Sequence, residues 1–132
     1  MSVSAQETPQ AAPATILIVD DNPNVTKALS AVVQQAGYGA FACHNGAEAL
    51  DFAEANRPAA AVVDIHLPDI NGLILSRTLR ERFGPDTPII IVSGDTSMET
   101  IKSLSHVGAT YFFSKPINSS YLIERLKELI PA

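Results

Sequence analysis

Hydrophobic positions along the chain follow two alternating rhythms. Short apolar or β-branched runs at 16–19, 38–43, 60–63, 89–92 and 110–113 predict five strands, separated by longer stretches with helical spacing. Three of the runs are apolar at every position, as expected where helices cover both faces of a parallel sheet. The run at 38–43 is weaker and suits a sheet edge. Helical spacing is clearest for Val25, Ala28, Leu29, Val32, Val33 and Ala36, and again for Leu122, Leu126, Leu129 and Ile130. Each set predicts a helix that buries one face.

Punctuation between the runs supports this division. Asn22 reads as an N-cap followed by Pro23 at the first helical position, and Asn45 and Thr96 each precede a glutamate by three residues, Glu48 and Glu99. Gly37 and Gly108 stand where helices should stop. Repeated strand and helix units with right-handed crossovers give an open α/β sheet, doubly wound, with five parallel strands and five helices on both faces. Residues 1–14 are rich in Ala, Gln, Pro and Ser without apolar periodicity, so they are expected to form a disordered tail. One domain is expected over 15–132.

Composition narrows the functions available. A chain of 132 residues with 46% hydrophobic content supports one core, and its formal charge of -5 argues against direct binding of nucleic acid or anionic lipid. No apolar run approaches the roughly 20 residues that span a bilayer. The single cysteine, Cys43, cannot close an intrachain disulfide, and a reducing cytoplasm is the expected setting. The N-x-[ST] matches at Asn24 and Asn118 are then chance matches. Neither His44 nor His106 has a partner apparent in the sequence; both are expected at the surface, and Cys43 is expected to be a small buried or edge residue.

Candidate chemistry lies where ligands of open parallel sheets bind, just beyond the carboxyl ends of the strands. The first run ends in Asp20 and Asp21, the third in Asp64, the fourth in Ser93 and Gly94, and the fifth in Ser114, Lys115 and Pro116. Crowded carboxylates repel one another unless a hard cation with oxygen ligands stabilises them, and Mg²⁺ is the natural candidate. A lysine and a hydroxyl beside such a cluster suit phosphoryl transfer to an aspartate. Asp64, alone on the central strand, is the best placed nucleophile. Gly72 and Gly94 are expected to serve tight backbone geometry, with Gly94 also keeping the approach to Asp64 open.

These residues resemble the response-regulator receiver family in four motifs taken in order, VDDNP, VDIHLPDING, IIIVSGD and GATYFFSKPI, over about residues 15–130. The resemblance implies a flavodoxin-like (βα)5 fold with strand order 2-1-3-4-5. It implies that Asp64 accepts phosphate from a histidine kinase or histidine phosphotransfer protein, and that Asp20, Asp21, Asp64 and the His66 backbone carbonyl hold Mg²⁺. Ser93 matches the hydroxyl that turns toward the phosphoryl group, Phe112 the aromatic that swings inward, and Lys115 the salt-bridging amine. A cis peptide between Lys115 and Pro116 is implied as well. The output surface would be the fourth helix, fifth strand and fifth helix, read by a downstream partner from a monomer or weak dimer. The His66 side chain, close to the acceptor, is expected to modulate dephosphorylation.

The sequence departs from the family's commoner residues at a few positions. Ser93 stands where threonine is commoner, Phe112 lacks a tyrosine's hydroxyl, and Thr110 and Tyr111 replace an acidic pair. Nothing after Pro131 reads as a DNA-binding or enzymatic output, so output is expected through a partner unless the chain is a fragment, and the chain is expected to catalyse only its own phosphorylation and dephosphorylation. Two alternatives compete: an unphosphorylated interaction module that keeps the fold, and an aspartate-nucleophile magnesium phosphohydrolase. The second would carry its nucleophile in a D-x-D motif after the first strand, where this chain has adjacent aspartates.

Overall fold

The computed structural model describes residues 14–94 and 97–130. The tail expected at the start, except Ala14, lies outside the described residues, and so does Thr96. Five strands alternate with five α-helices: β1 (Thr15–Val19), α1 (Pro23–Gln35), β2 (Gly39–Cys43), α2 (Gly46–Ala55), β3 (Ala60–Asp64), α3 (Gly72–Phe83), β4 (Ile89–Ser93), α4 (Met98–Ser103), β5 (Tyr111–Ser114) and α5 (Ser119–Leu129). All pairings are parallel, in the order β2-β1-β3-β4-β5.

Alternating side chains along the strands feed two cores. Ile16, Ile18, Val62 and Ile90 meet Leu29 and Val33 of α1 and Leu122 and Leu126 of α5 on one face. On the other, Leu17, Val19, Val63 and Ile91 meet Phe52 of α2 and Leu75 and Leu79 of α3. β3 and β4 are buried at every position, whereas β2 exposes Phe41 and Ala42, as its weaker pattern implied. Two-sided burial of the central strands is what makes their sequences continuously apolar.

The helix boundaries follow local chemistry. Asn22 Oδ1 accepts from Asn24 N at 2.9 Å ahead of Pro23, and Asn45 Oδ1 accepts from Glu48 N at 2.8 Å. The cap of α4 is Ser97 rather than Thr96: Ser97 has extended backbone and its Oγ accepts from Thr100 N at 3.3 Å. Neighbouring hydroxyls look alike in sequence, and only the backbone turn decides which one caps. A 3₁₀ turn, Leu104–Val107, prolongs α4 and was not anticipated; it ends at Gly108 with φ +70°, where a left-handed residue favours glycine. Gly37, with φ +101°, follows α1 in the same way.

Candidate functional site at the carboxyl rim of the sheet

Because β1, β3 and β5 run parallel, their carboxyl ends bring Asp20, Asp64 and Lys115 to one rim. Asp20 and Asp64 are each 4% exposed. Carboxylate oxygens of Asp20, Asp21 and Asp64 all lie within 4.8 Å of one another. Lys115 Nζ donates to Asp20 Oδ2 at 2.9 Å and to Asp64 Oδ2 at 3.1 Å. Burial by itself would lower the Lys115 pKa, but its hydrogen bonds and attraction to the two carboxylates prevail and hold the pKa above the ordinary lysine value. The lysine therefore stays charged and offsets one of the carboxylates crowded there.

The remaining oxygens are held by backbone. Asp20 Oδ1 accepts from Asn22 N at 2.9 Å, and Asp64 Oδ1 accepts from His66 N at 3.3 Å. The Lys115–Pro116 peptide is cis, and Lys115 N donates to Ser93 O at 3.0 Å, tying the end of β5 to the end of β4. Ser93 is buried and follows Val92, the register partner of Asp64. The predicted rim residues thus converge. Phe112 pairs in register with Ile91, two residues before the end of β4, and is half-buried against the core that contains α3. The His66 side chain is exposed and shares a cleft of about 480 Å³ with Asp21, Pro68 and Asn71.

Close approach explains one of the two glycines singled out from the sequence. A Cβ on Gly72 would lie 2.1 Å from the Asp64 carbonyl oxygen and 2.6 Å from Ile65 Cα, and Gly72 N donates to Ile65 O at 2.7 Å. Gly94 differs, since among the described residues a Cβ there meets nothing within 4 Å, and its expected role in tight geometry is corrected.

Two arrangements were not read from the sequence. Asp69 accepts from Gly46 N at 2.8 Å and Ala47 N at 3.0 Å, so the loop after β3 caps α2; these amides, Gly46 first, hold the Asp69 carboxyl below its ordinary pKa. His44, for which no partner was apparent in the sequence, places Nε2 3.0 Å from Thr26 Oγ1 and Nδ1 3.7 Å from Glu48 Oε1. Its glutamate four residues on was the available signal. Cys43 is fully buried, and burial pushes its thiol up to about 11.

The donor set fits a hard divalent cation, being three carboxylates with convergent oxygens, two of them buried. The sequence profile of the response regulator receiver domain matches residues 16–127. The chain belongs to this family. It is 34% identical to the response regulator MprA of Mycobacterium avium over 87% of its own length and 50% of that protein's. The chain therefore spans about half the length of the curated relatives it matches. The receiver resembles the crystal structure of a CheY-like receiver domain protein from Methanospirillum hungatei with a TM-score of 0.85 and 28% identity, covering 90% of this chain and 94% of that one. A response regulator from Burkholderia pseudomallei, determined with a phosphorylated aspartic acid, a calcium ion and citrate, aligns with a TM-score of 0.79 and 30% identity over 86% of this chain and 66% of that one. Receivers are generally signalling modules of two-component systems rather than enzymes, and they typically bind Mg²⁺ at such an aspartate cluster. Among the described residues, no helix is long and apolar enough to cross a membrane.

Proposed function

We propose that this receiver is a phosphoacceptor switch in which Asp64 takes a phosphoryl group from a phosphohistidine of a histidine kinase or phosphotransfer protein. The observation that carries the reading is the Lys115 ammonium held between Asp20 and Asp64 at 2.9 and 3.1 Å. An Asp64 carboxylate oxygen forms the new bond to phosphorus as the donor's phosphorus–nitrogen bond breaks, its electron pair staying on the imidazole. Lys115 balances charge on the transferring group, and the Ser93 hydroxyl supplies a donor to one of its oxygens. Asp20, Asp21, Asp64 and the His66 carbonyl are the groups that would hold Mg²⁺. When bound, the ion neutralises negative charge on the phosphoryl oxygens. The phosphorylated aspartate of the Burkholderia relative supports this assignment.

A mostly apolar groove formed by Val25, Ala28, Leu29 and Ile117 runs up to Lys115 and gives the phosphodonor protein a surface beside the acceptor. For output, Met98 (66% exposed) and Ile101 (43%) on α4 and Tyr121 (46%) on α5, which stacks on Phe113 of β5, present apolar surface. A shift of Ser93 and Phe112 on phosphorylation would alter that surface for a downstream partner.

Intact mass after incubation with Mg²⁺ and acetyl phosphate tests the reading. Wild type should gain one phosphoryl group only when the metal is present, and Asp64→Asn should gain none. No adduct under any condition would favour the unphosphorylated interaction module. In the same assay, His66→Ala should change the lifetime of the adduct; an unaltered decay rate removes His66 from the site's function.

A further inference from the structure

A second recess lies away from the rim, between α3 and the end of α4. It has a volume of about 340 Å³ and is lined by Asn71, Leu73, Ile74, Arg77, Ser103, His106 and Val107. Its chemistry contrasts with that of the chain: the protein carries a formal charge of -5, yet no carboxylate among the described residues lines this groove. Ile74 is 51% exposed there, a large aliphatic side chain left in water. Arg77 is exposed and has no ion-pair or hydrogen-bond partner among the described residues. Glu81, one turn further along α3, neither lines the groove nor pairs with Arg77. The neighbouring Arg80, by contrast, is fully used, donating to the carbonyls of Gly84, Thr87 and Gly108.

The walls of the groove lead back to the acceptor. Asn71 caps α3 through Leu73 N at 2.7 Å and is bridged to His66, two residues after Asp64. Ser103, His106 and Val107 belong to α4 and its 3₁₀ extension, which follow Ser93. The two walls are thus set by the two segments that leave the acceptor rim, after β3 and after β4. A change at the rim that displaces either segment changes the width of the groove.

From this geometry we infer that the α3–α4 groove is a docking site for an acidic segment of a partner protein, with an aliphatic side chain seated on Ile74 and carboxylates on Arg77. The inference rests on the phosphoacceptor reading only for its second part, that occupancy is linked to the state of Asp64. Charge complementarity selects an acidic partner, and the exposed isoleucine selects an apolar anchor.

The test uses the full chain, ¹⁵N-labelled, titrated with the peptide acetyl-Glu-Glu-Leu-Leu-Glu-Glu-amide and with its glutamine counterpart, with and without Mg²⁺ and beryllofluoride. Amide shifts should concentrate at residues 73–77 and 103–107. Binding should be at least tenfold weaker in Arg77→Glu and in the glutamine peptide, and should change at least threefold with beryllofluoride. No shifts, shifts centred elsewhere, or equal binding of the glutamine peptide would overturn the site. Broadening of the same amides with protein concentration alone would assign the groove to a second copy and overturn it equally. If beryllofluoride moves the amides around Asp64 and Ser93 but leaves peptide affinity unchanged, the linkage fails and the receiver reading stands. If beryllofluoride moves no amide at the rim, it is the phosphoacceptor reading that fails, and the acidic docking site is judged by the peptide titration alone.

Discussion

The two segments that leave the carboxyl rim after β3 and β4 are built to opposite standards. The loop after β3, residues 65–71, is bonded on every side. Asp69 caps α2, Asn71 caps α3, Gly72 N binds Ile65 O, and Ile70 packs so closely that a Cβ on Gly46 would lie 2.1 Å from its Cγ2. The region after β4 is light by comparison. α4 has six residues, of which Thr100 alone is buried, and it exposes Met98 and Ile101 before passing into the 3₁₀ turn. Elements with few buried contacts open at the lowest free energy, so in the switch proposed above the responsive part would be α4, with the Asp64 side held by the anchored loop.

The largest effect should come from breaking the anchored side. Gly72→Ala forces a methyl group against the Asp64 carbonyl, and we expect a loss of about 3 kcal/mol in urea unfolding, the range of an overpacked site without room to relax. Its phosphorylation by acetyl phosphate should slow as well. Gly94→Ala, where a Cβ meets nothing, should stay within about 0.5 kcal/mol of wild type. A bulkier Gly94→Leu should leave stability nearly intact but slow phosphorylation by obstructing Asp64. Equal destabilisation by both alanine variants would show that the contrast between the segments is false.

Amide hydrogen exchange sharpens the comparison without a mutation. Residues 98–107 should exchange about tenfold or more faster than 65–72 in the unmodified protein, and beryllofluoride with Mg²⁺ should alter the first set far more than the second. Matching protection in the two segments, or a response confined to 65–72, would relocate the switch.

How much of this was legible in the sequence depends on the range of the interaction. β3 and β4 announced themselves because both faces are buried, and the rim was readable because parallel strands put their last residues together. Four ordered motifs pointed to Asp20, Asp64, Ser93 and Lys115, which stand at or just beyond the carboxyl ends of β1, β3, β4 and β5. The clasp between Asp69 and Gly46 spans 23 residues and joins a loop to the start of α2, so no periodicity or spacing reports it. Thr26 and His44 likewise meet only because α1 and the end of β2 are adjacent in space. Gly72 could be read as a tight position, but the atom it must avoid could not.

A smaller effect is expected beneath the anchored loop. The Ser76 hydroxyl in α3 is fully buried without a hydrogen-bond partner among the described residues. Its desolvation is uncompensated, so Ser76→Ala should raise stability by about 1 kcal/mol and leave phosphorylation unchanged. A clear loss of stability would mean that the hydroxyl is satisfied in solution and that α3 is held differently from the arrangement described.

The smallest effect concerns the clasp that anchors the loop, and it carries a pH signature. The Gly46 and Ala47 amides bind the ionised Asp69 carboxylate, so its pKa is lower folded than unfolded. A carboxyl depressed on folding contributes stability above its unfolded pKa, near 3.9, and loses that contribution as pH falls through the folded value. Asp69→Asn should therefore unfold at lower urea than wild type at pH 7, and the gap between them should narrow below about pH 4. An amide oxygen still accepts one of the two N–H groups, which keeps the pH 7 difference modest. A gap that is constant from pH 7 to pH 3 would mean that the clasp contributes through shape alone, and the anchored loop would then owe its rigidity to Gly72 and Ile70 rather than to charge.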